Sequence, residues 1–397
     1  MLNNQPNSNQ NTCSTYHFHV FSPESGVAAE VVAAVDVNTT ANEIYKHNFP
    51  STLLRPKTIE GMTLDDFDKF AFDMILMSPP CQPFTRIGLQ GDVSDPRTKS
   101  FLYILDLLPR LIKLPRFILL ENVKGFETSS ARDSLVSTLK DCGYTYQELM
   151  VSPTSLGIPN SRLRYFLIAK APPGSFSFHT SSEILEGFPS PAVQVVPEPS
   201  LVEPASCRSA CQEEDEEKQE EGEGQILYKL ETAKQADRKS SQNNDTSLRQ
   251  IRDFLELVAG EGTEDGEEAE KYLLPAKTLL RYALLMDIVR PTCRRSVCFT
   301  KGYGHYVEGT GSVLQSCSET EVEEAFRGLE QLSEEEKLKQ LSRLRLRYFT
   351  PREIANLMGF PKTFTFPENI TTKQQYRVLG NSLNVHVVSR LIQLMVS

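Results

Sequence analysis

The sequence predicts an α/β fold: a doubly wound, mostly parallel sheet with a smaller second region. Three observations carry that expectation. Short apolar runs alternate with helical patterns through the first 170 residues. The chain has 397 residues, against roughly 100 to 200 for one domain, so a full α/β core and a second lobe both fit. Its composition, 39% apolar and 24% charged, is that of an ordinary globular protein.

The elements follow in order. Residues 1–30 form a divergent start. The first twelve are rich in Asn and Gln and carry no ordering pattern, Thr15 to Ser22 has strand character, and Pro23-Glu24-Ser25-Gly26 leaves no room for a helix before Val31. Residues 31–170 form the main α/β domain, with strands expected over Val31 to Val35, Phe72 to Met77, Phe117 to Leu120, Tyr144 to Val151 and Tyr165 to Ala169. Ser129 or Ser130 caps a helix over Arg132 to Asp141, which stops at Gly143. Residues 171–224, rich in Pro, Ser and Glu, make an acidic linker. In the recognition region, 225–345, helical spacing covers Leu248 to Val258 and Thr278 to Ile288. The segment 346–397 opens with a helix start at Thr350-Pro351-Arg352-Glu353, which combines a cap, a first-turn Pro and a capping-box Glu.

Composition also narrows the function classes. No run approaches the roughly 18 apolar residues of a membrane span, and no secretory signal is readable at the start, so the expected location is the cytoplasm, with the nucleus second. The eight cysteines are scattered, and Cys207 with Cys211 lacks the second pair of a zinc site, so no metal is expected. The net charge of −10 argues against a nucleic-acid partner until its location is considered. Residues 213–223 carry −7 and residues 261–270 carry −6, which leaves +3 for the rest.

In open parallel sheets, ligands bind beyond the carboxyl ends of the strands. Asp36 ends the Val31 run, Ser78-Pro79-Pro80-Cys81 follows Met77, and Glu121-Asn122-Val123 follows Leu120. Each alone has a plain structural meaning, a core thiol or a helix-capping acid. Together they bring an acid, a thiol and a second acid toward one crevice.

Pro79-Pro80-Cys81-Gln82-Pro83-Phe84, Glu121-Asn122-Val123, Arg162-Leu163-Arg164 and Gly380-Asn381-Ser382 resemble, in this order, the motifs of the cytosine-5 methyltransferases. The resemblance covers residues 30–170 and 225–397. It implies a class I, Rossmann-like fold that uses S-adenosylmethionine. The carbon to be methylated on cytosine is a poor nucleophile, and a thiolate adding to the neighbouring ring carbon turns the base into an enamine. A thiol with a pKa of about 8.5 needs a nearby positive charge to do this. By resemblance, Cys81 attacks the ring, Glu121 stabilises the protonated ring nitrogen, and Arg162 and Arg164 position the base and its ribose. Asp36 binds the cofactor ribose, and Ile59, Glu60, Ser78, Asn381 and Ser382 line the rest of the cofactor site.

Cys298-Phe299-Thr300, with Tyr303, Tyr306 and Gly309-Thr310-Gly311-Ser312, is similar to the signature of the branch that modifies aspartate tRNA. Read without that resemblance, the stretch is a Gly-rich strand and loop of a substrate-recognition region. Single-stranded RNA is read by aromatic side chains that stack on splayed bases, and an anticodon-loop cytosine costs less to extrude than a paired one. The resemblance therefore implies tRNA, aspartate tRNA first and cytosine-38 within it, as the substrate, with DNA as a weaker alternative.

One family feature is missing. The strand with its Gly-rich turn and the following helix, which normally precede the strand ending at Asp36, have no counterpart before Val31. Thr15 to Ser22 is a poor replacement, since Phe18 and Val20 face one side but His17 and His19 the other, whereas a central strand is apolar on both faces. Weak S-adenosylmethionine binding and marginal folding are therefore expected. A second function class follows from the same gap, a catalytically silent RNA-binding protein that keeps the pocket without the cofactor.

Overall fold

Phe117-Ile118-Leu119-Leu120 and Tyr165-Phe166-Leu167-Ile168-Ala169 are apolar at every position, so a strand built from either has to be covered on both faces. The computed structural model describes residues 25–84, 91–189, 233–256, 269–316 and 321–397, and it covers them in that way. Strands β1 (Ala34–Val35), β2 (Leu54–Arg55), β3 (Met74–Met77), β4 (Phe117–Val123), β5 (Thr145–Val151) and β6 (Arg164–Lys170) alternate with helices α1 (Thr39–Asn48), α2 (Leu64–Phe70), α3 (Lys99–Leu107) and α4 (Ser130–Asp141). β1 pairs with β2 in parallel, and a four-stranded sheet runs in the order β3-β4-β6-β5. In that sheet β3 and β4 are parallel, while β6 lies antiparallel to both β4 and β5.

Alternation along β4 and β6 sorts the core into two layers. Ile118, Leu120, Tyr165 and Leu167 face Phe101 and Leu105 of α3 and Leu135 and Leu139 of α4. Leu119, Phe166 and Ile168 face the other side, where α1 packs with α9 (Pro351–Leu357) and α11 (Val385–Val396). Each buried aliphatic side chain contributes roughly 1.5 to 3 kcal/mol, so helices from the far end of the chain stabilise this sheet along with its local neighbours.

The caps behave as the residue types require. Ser129 is the α4 cap and accepts from the Arg132 amide, and Gly143 has the left-handed φ of 76° that a helix stop uses. Thr350 and Glu353 form a capping box that starts α9 with Pro351 in its first turn.

Four element expectations need correction, and one set of elements was missed. The Val31 strand shrinks to Ala34–Val35, since β2, its described partner, offers only two residues of ladder. β4 is longer than expected and includes Glu121 and Asn122, because β6 pairs with it as far as Val123 opposite Arg164. Leu248 to Val258 does not form a helix in its described part. Ile251–Phe254 is a single 3-10 turn, and the Ile251 and Arg252 amides are taken by the Cys293 and Pro291 carbonyls. Thr278 to Ile288 divides into α6 (Ala276–Tyr282), a 3-10 turn and the strand β7 (Ile288–Val289), whose parallel pairing with β8 (Val313–Gln315) overrides the helical spacing. Finally, β2 and helices α1, α2 and α3 were not anticipated. Their signals are short, such as Asn38 capping α1 and Thr63 capping α2 with Asp66.

Between β6 and β7 lies α5 (Ala233–Asn244). A third sheet, β7-β8-β9, with β9 at Leu346–Arg347, encloses its own apolar cluster with α6 and α8 (Glu334–Ser342), next to α7 (Val322–Phe326). The expected strand Thr15 to Ser22, most of the acidic linker and the pair Cys207 and Cys211 lie outside the described residues. Among the described residues no helix is long and apolar enough to cross a membrane, and no cluster of three potential metal ligands occurs.

Candidate active site

Two parallel strands end side by side, and their ends bring the first pair of site residues together. Met77 closes β3, and the two prolines that follow lead the chain away from the sheet to Cys81, which is half-buried. On the neighbouring β4, Glu121 is buried and turned to the same face as Leu119. Ser78 Oγ donates to Glu121 Oε2 at 2.5 Å, and Arg164 Nε lies 3.4 Å from Glu121 Oε1. The Asn122 side chain holds the Pro79 carbonyl at 3.4 Å. Gly125 closes the turn, with a φ of 109° and a place where a Cβ would stand 2.7 Å from the Phe84 carbonyl oxygen, so the loop after β4 can lie against the Cys81 turn only with glycine there.

The charges around the pair have a definite resting state. Burial pushes the Cys81 thiol up, the Glu121 carboxylate pushes it the same way, and Arg164 and Lys301 offset only part of this. Burial likewise pushes the Glu121 carboxyl above its ordinary value, against the pull of Arg164, the Ser78 hydroxyl and Arg162. Both shifts run toward the proton-bound forms, a neutral thiol and a carboxylic acid. A carboxyl in that form can donate to a ring nitrogen, and the thiol becomes a nucleophile when a bound base brings compensating charge or accepts a proton.

The two arginines do not share one task. Arg164 spans Glu121 and Cys298, whose Sγ lies 3.8 Å from its Nη2. Arg162 is buried and directs its guanidinium to the Cys298 sulfur at 3.1 Å, the Phe299 carbonyl at 3.0 Å, the Gly380 carbonyl at 3.0 Å and the Ser382 carbonyl at 2.5 Å. It ties the sheet to two remote segments. Burial pushes the Cys298 thiol up, but Arg162 and Arg164 outweigh burial and hold it below the ordinary thiol range. The positive charge that the sequence leads one to expect at Cys81 is thus concentrated at Cys298.

The residues expected to touch substrate divide as well. Phe299 and Tyr303 are buried, packed edge to face at 5.0 Å, with Tyr303 also against Tyr376 at 5.1 Å. The Tyr303 hydroxyl donates to the Ser312 carbonyl and accepts from the Phe349 amide. Neither ring has a face open for a base, because a ring of that size is more stable in the core than exposed. Thr300 is half-buried, with its amide on the Thr310 carbonyl. Tyr306 on the same loop is 64% exposed. The loop approaches the end of α10 (Thr372–Gly380) so closely that a Cβ on Gly380 would stand 2.2 Å from the Thr300 carbonyl carbon and the Lys301 nitrogen.

Beside the Cys81 turn opens a cavity of about 660 Å³. Asp36, Ile59 and Ser78 line it, with Lys57, Thr58 and Phe101. Asp36 is buried, and its Oδ1 accepts from the Asn38 amide at 2.8 Å. Glu60, Asn381 and Ser382 stand elsewhere. Glu60 accepts from Ser100 Oγ on the exposed rim, Asn381 ends α10, and the Ser382 hydroxyl donates to the Val378 carbonyl inside the Arg162 clamp. Sequence reasoning missed Lys301 and Gly125. Lys301 adjoins the quoted Cys298-Phe299-Thr300 and Gly125 closely follows Glu121-Asn122-Val123, so both stood next to recognised motifs.

Comparison with known proteins agrees with this geometry. The C-5 cytosine-specific DNA methylase family matches over residues 20–397. The chain is 59% identical over 376 residues to the tRNA (cytosine(38)-C(5))-methyltransferase of Mus musculus, covering 93% of this chain and 88% of that protein. It is 57% identical over 380 residues to the Homo sapiens protein of the same name, covering 94% of each. The crystal structure of a Spodoptera frugiperda DNMT2 mutant superposes with a TM-score of 0.73 at 36% identity, covering 96% of each chain. The match spans both the Cys81 strand ends and the remote loops that Arg162 ties to them, and the chain belongs to the C-5 cytosine-specific methylase family.

Proposed function

We propose that this chain is an S-adenosylmethionine-dependent tRNA (cytosine-5)-methyltransferase that acts on cytosine-38 of the anticodon loop, with aspartate tRNA as its first substrate. The observation that carries the reading is the placement of Cys81 and the Ser78-bonded Glu121 on adjacent strand ends, beside a cavity whose wall includes Asp36 and Ile59. The relatives named for cytosine-38 of tRNA support the substrate.

The cavity residues fit the methyl donor. Asp36 offers a buried carboxylate for ribose hydroxyls, and Ile59 and Phe101 offer apolar walls for an adenine ring. S-adenosylmethionine, when bound, supplies the electrophilic methyl group. The Cys81 thiolate adds to the ring carbon next to the acceptor carbon while the Glu121 carboxyl donates its proton to the ring nitrogen, so the electron pair shifts to the acceptor carbon. Once the methyl group is on that carbon, a solvent base takes the remaining proton from it, the Cys81 thiolate leaves as the ring double bond re-forms, and the ring nitrogen returns its proton to Glu121, which restores the aromatic base. Arg164 holds Glu121 in place, and Lys301 sets a positive charge toward Cys81. Tyr306 is the open stacking face for a loop base.

The test is methyl transfer from labelled S-adenosylmethionine to aspartate tRNA, to the same tRNA with uracil in place of cytosine-38, and to duplex DNA at physiological salt. Label on the first alone is the expected result. Equal or better labelling of DNA overturns the substrate, since non-specific phosphate binding weakens steeply with salt. Tight tRNA binding without transfer favours the silent RNA-binding class, the reading that the missing Gly-rich turn supports.

A further inference from the structure

In the reaction proposed above, Glu121 gives a proton to a ring nitrogen and later takes it back, and its two oxygens are not equivalent for that task. Oε1 lies 3.4 Å from Arg164 Nε. A guanidinium has donors and no acceptor, so a proton on Oε1 would point at a second hydrogen. Oε2 faces Ser78 Oγ at 2.5 Å. A hydroxyl both donates and accepts, so Oε2 is the oxygen that can hold the proton without conflict. Arg162 adds a second positive charge near the carboxyl, and it too can only donate.

Strand register puts this hydroxyl in place. β3 and β4 run parallel with Met77 opposite Leu120, so the next residues along, Ser78 and Glu121, are neighbours across the two strand ends. Ser78 also lines the cavity, as the sequence leads one to expect, but its hydroxyl is engaged by the acid. Glu121 is buried, and in such surroundings a hydrogen bond to a charged group counts for more than it does in water.

We propose that Ser78 is the positioning residue of the acid: its hydroxyl keeps the transferable proton on Glu121 Oε2 and holds the carboxylate once that proton has gone to the base. The inference rests on the methyltransferase reading of the site. With Glu121 protonated and no base bound, Oε2–H donates to Ser78 Oγ. When a ring nitrogen becomes the acceptor, the Ser78 hydroxyl turns about its Cβ–Oγ bond and donates to Oε2. The chain then runs from the Ser78 hydroxyl through Oε2–H to the ring nitrogen, and each bond polarises the next. The proton passes to the nitrogen as the bond from the Cys81 sulfur to the ring carbon forms, and it returns to Oε2 as that bond breaks. Ser78 keeps its own proton throughout. Arg164 on Oε1 and Ser78 on Oε2 leave the carboxylate with both oxygens paired, which offsets the cost of a buried charge. The Ser78 bond also pulls the carboxyl down while burial pushes it up, the direction a proton donor needs.

Ser78→Ala and Ser78→Thr in the full-length chain test this. At saturating S-adenosylmethionine and aspartate tRNA, Ser78→Ala is expected to lose roughly ten- to a hundredfold in kcat, the worth of one hydrogen bond to a charged group. KM for each substrate should stay within about twofold of the parent, since the bond acts on the proton transfer and not on binding. Ser78→Thr, which keeps the hydroxyl, is expected to restore most of the rate. Infrared spectra across pH, with the Glu121 band assigned as the one missing in Glu121→Gln, should show the carboxyl titrating at higher pH in Ser78→Ala and close to the parent in Ser78→Thr. With an active parent, an unchanged kcat in Ser78→Ala overturns the proposal. So does a rise in KM for S-adenosylmethionine alone, which makes Ser78 a wall of the cofactor cavity only, or a loss in Ser78→Thr as large as in Ser78→Ala. A parent that transfers no methyl group to tRNA or DNA overturns the methyltransferase reading, and the infrared titration then decides the role of Ser78 by itself. A shift to higher pH in Ser78→Ala sustains the hydroxyl as the partner of the Oε2 proton, and no shift overturns it.

Discussion

Arg162→Lys separates two roles that the sequence alone leaves merged. If Arg162 is the clamp seen here, the cost of losing it is structural. Its guanidinium bonds the Cys298 sulfur and the carbonyls of Phe299, Gly380 and Ser382. A lysine ammonium is one compact charge and cannot reproduce a planar fork, so at least two of the three carbonyls lose a partner. A buried acceptor left unpaired costs about 1–3 kcal/mol, which gives roughly 2–6 kcal/mol against a typical domain stability of about 5–15 kcal/mol. The expected drop in melting temperature is on the order of 10 °C, at about 2–4 °C per kcal/mol. Thermal melts of parent and variant measure this, and alkylation of Cys298 at a temperature where both are folded should speed up once the clamp loosens. A variant that melts within about 2 °C of the parent, keeps Cys298 protected and loses only turnover would show that Arg162 works on the base and not on the fold.

Cys81→Ala should leave the melt nearly unchanged and remove methyl transfer to tRNA, and appreciable transfer by this variant excludes Cys81 as the nucleophile. Glu121→Gln should lower turnover by a factor on the order of 10² to 10⁴, the range for a lost proton-transfer group. It should also change the pH dependence of stability. The Glu121 carboxyl is pushed above its ordinary 4.5 by burial, so the folded chain holds this proton more tightly than the unfolded one. The resulting stabilisation is complete below 4.5 and is lost as pH rises through the raised folded value. Denaturant titrations at a series of pH values should show that slope in the parent and a flatter one in Glu121→Gln. Gly380→Ala should cost about 1–3 kcal/mol or more, the range for overpacking, since its Cβ would stand 2.2 Å from the backbone of Thr300 and Lys301. An unchanged melt would mean that the Cys298 loop does not rest on α10.

Much of the catalytic layer could be read in advance. Apolar runs at Phe117 and Tyr165 predicted buried strands because no other placement hides every residue in them, and Ser129 and Thr350 predicted helix starts because their side chains satisfy local amides. Local signals failed where a distant partner competes for the same backbone. The helical spacing after Leu248 lost to the Pro291 and Cys293 carbonyls, and Ile288 lost to the ladder with Val313. The length of β4 was equally out of reach, since it depends on β6 continuing the pairing to Val123.

The same division holds at the site. Cys81, Glu121 and Asp36 stood out from residue type and order, because a thiol and two acids at strand ends are rare against ordinary turns, and the two arginines came from the family resemblance. Their partners were not, because partnership is set by distance in space. Which sulfur the arginines hold, which hydroxyl bonds Glu121, and which aromatic stays exposed all depend on segments separated by 43 to more than 130 residues. By itself the sequence determined the chemistry on offer: a nucleophile, an acid, a cofactor-binding strand end and a family. Only the tertiary structure decided how it is held. It assigned Arg162 to a clamp and Phe299 and Tyr303 to the core, because burial, charge pairing and ladder completion act between neighbours in space whatever their separation along the chain.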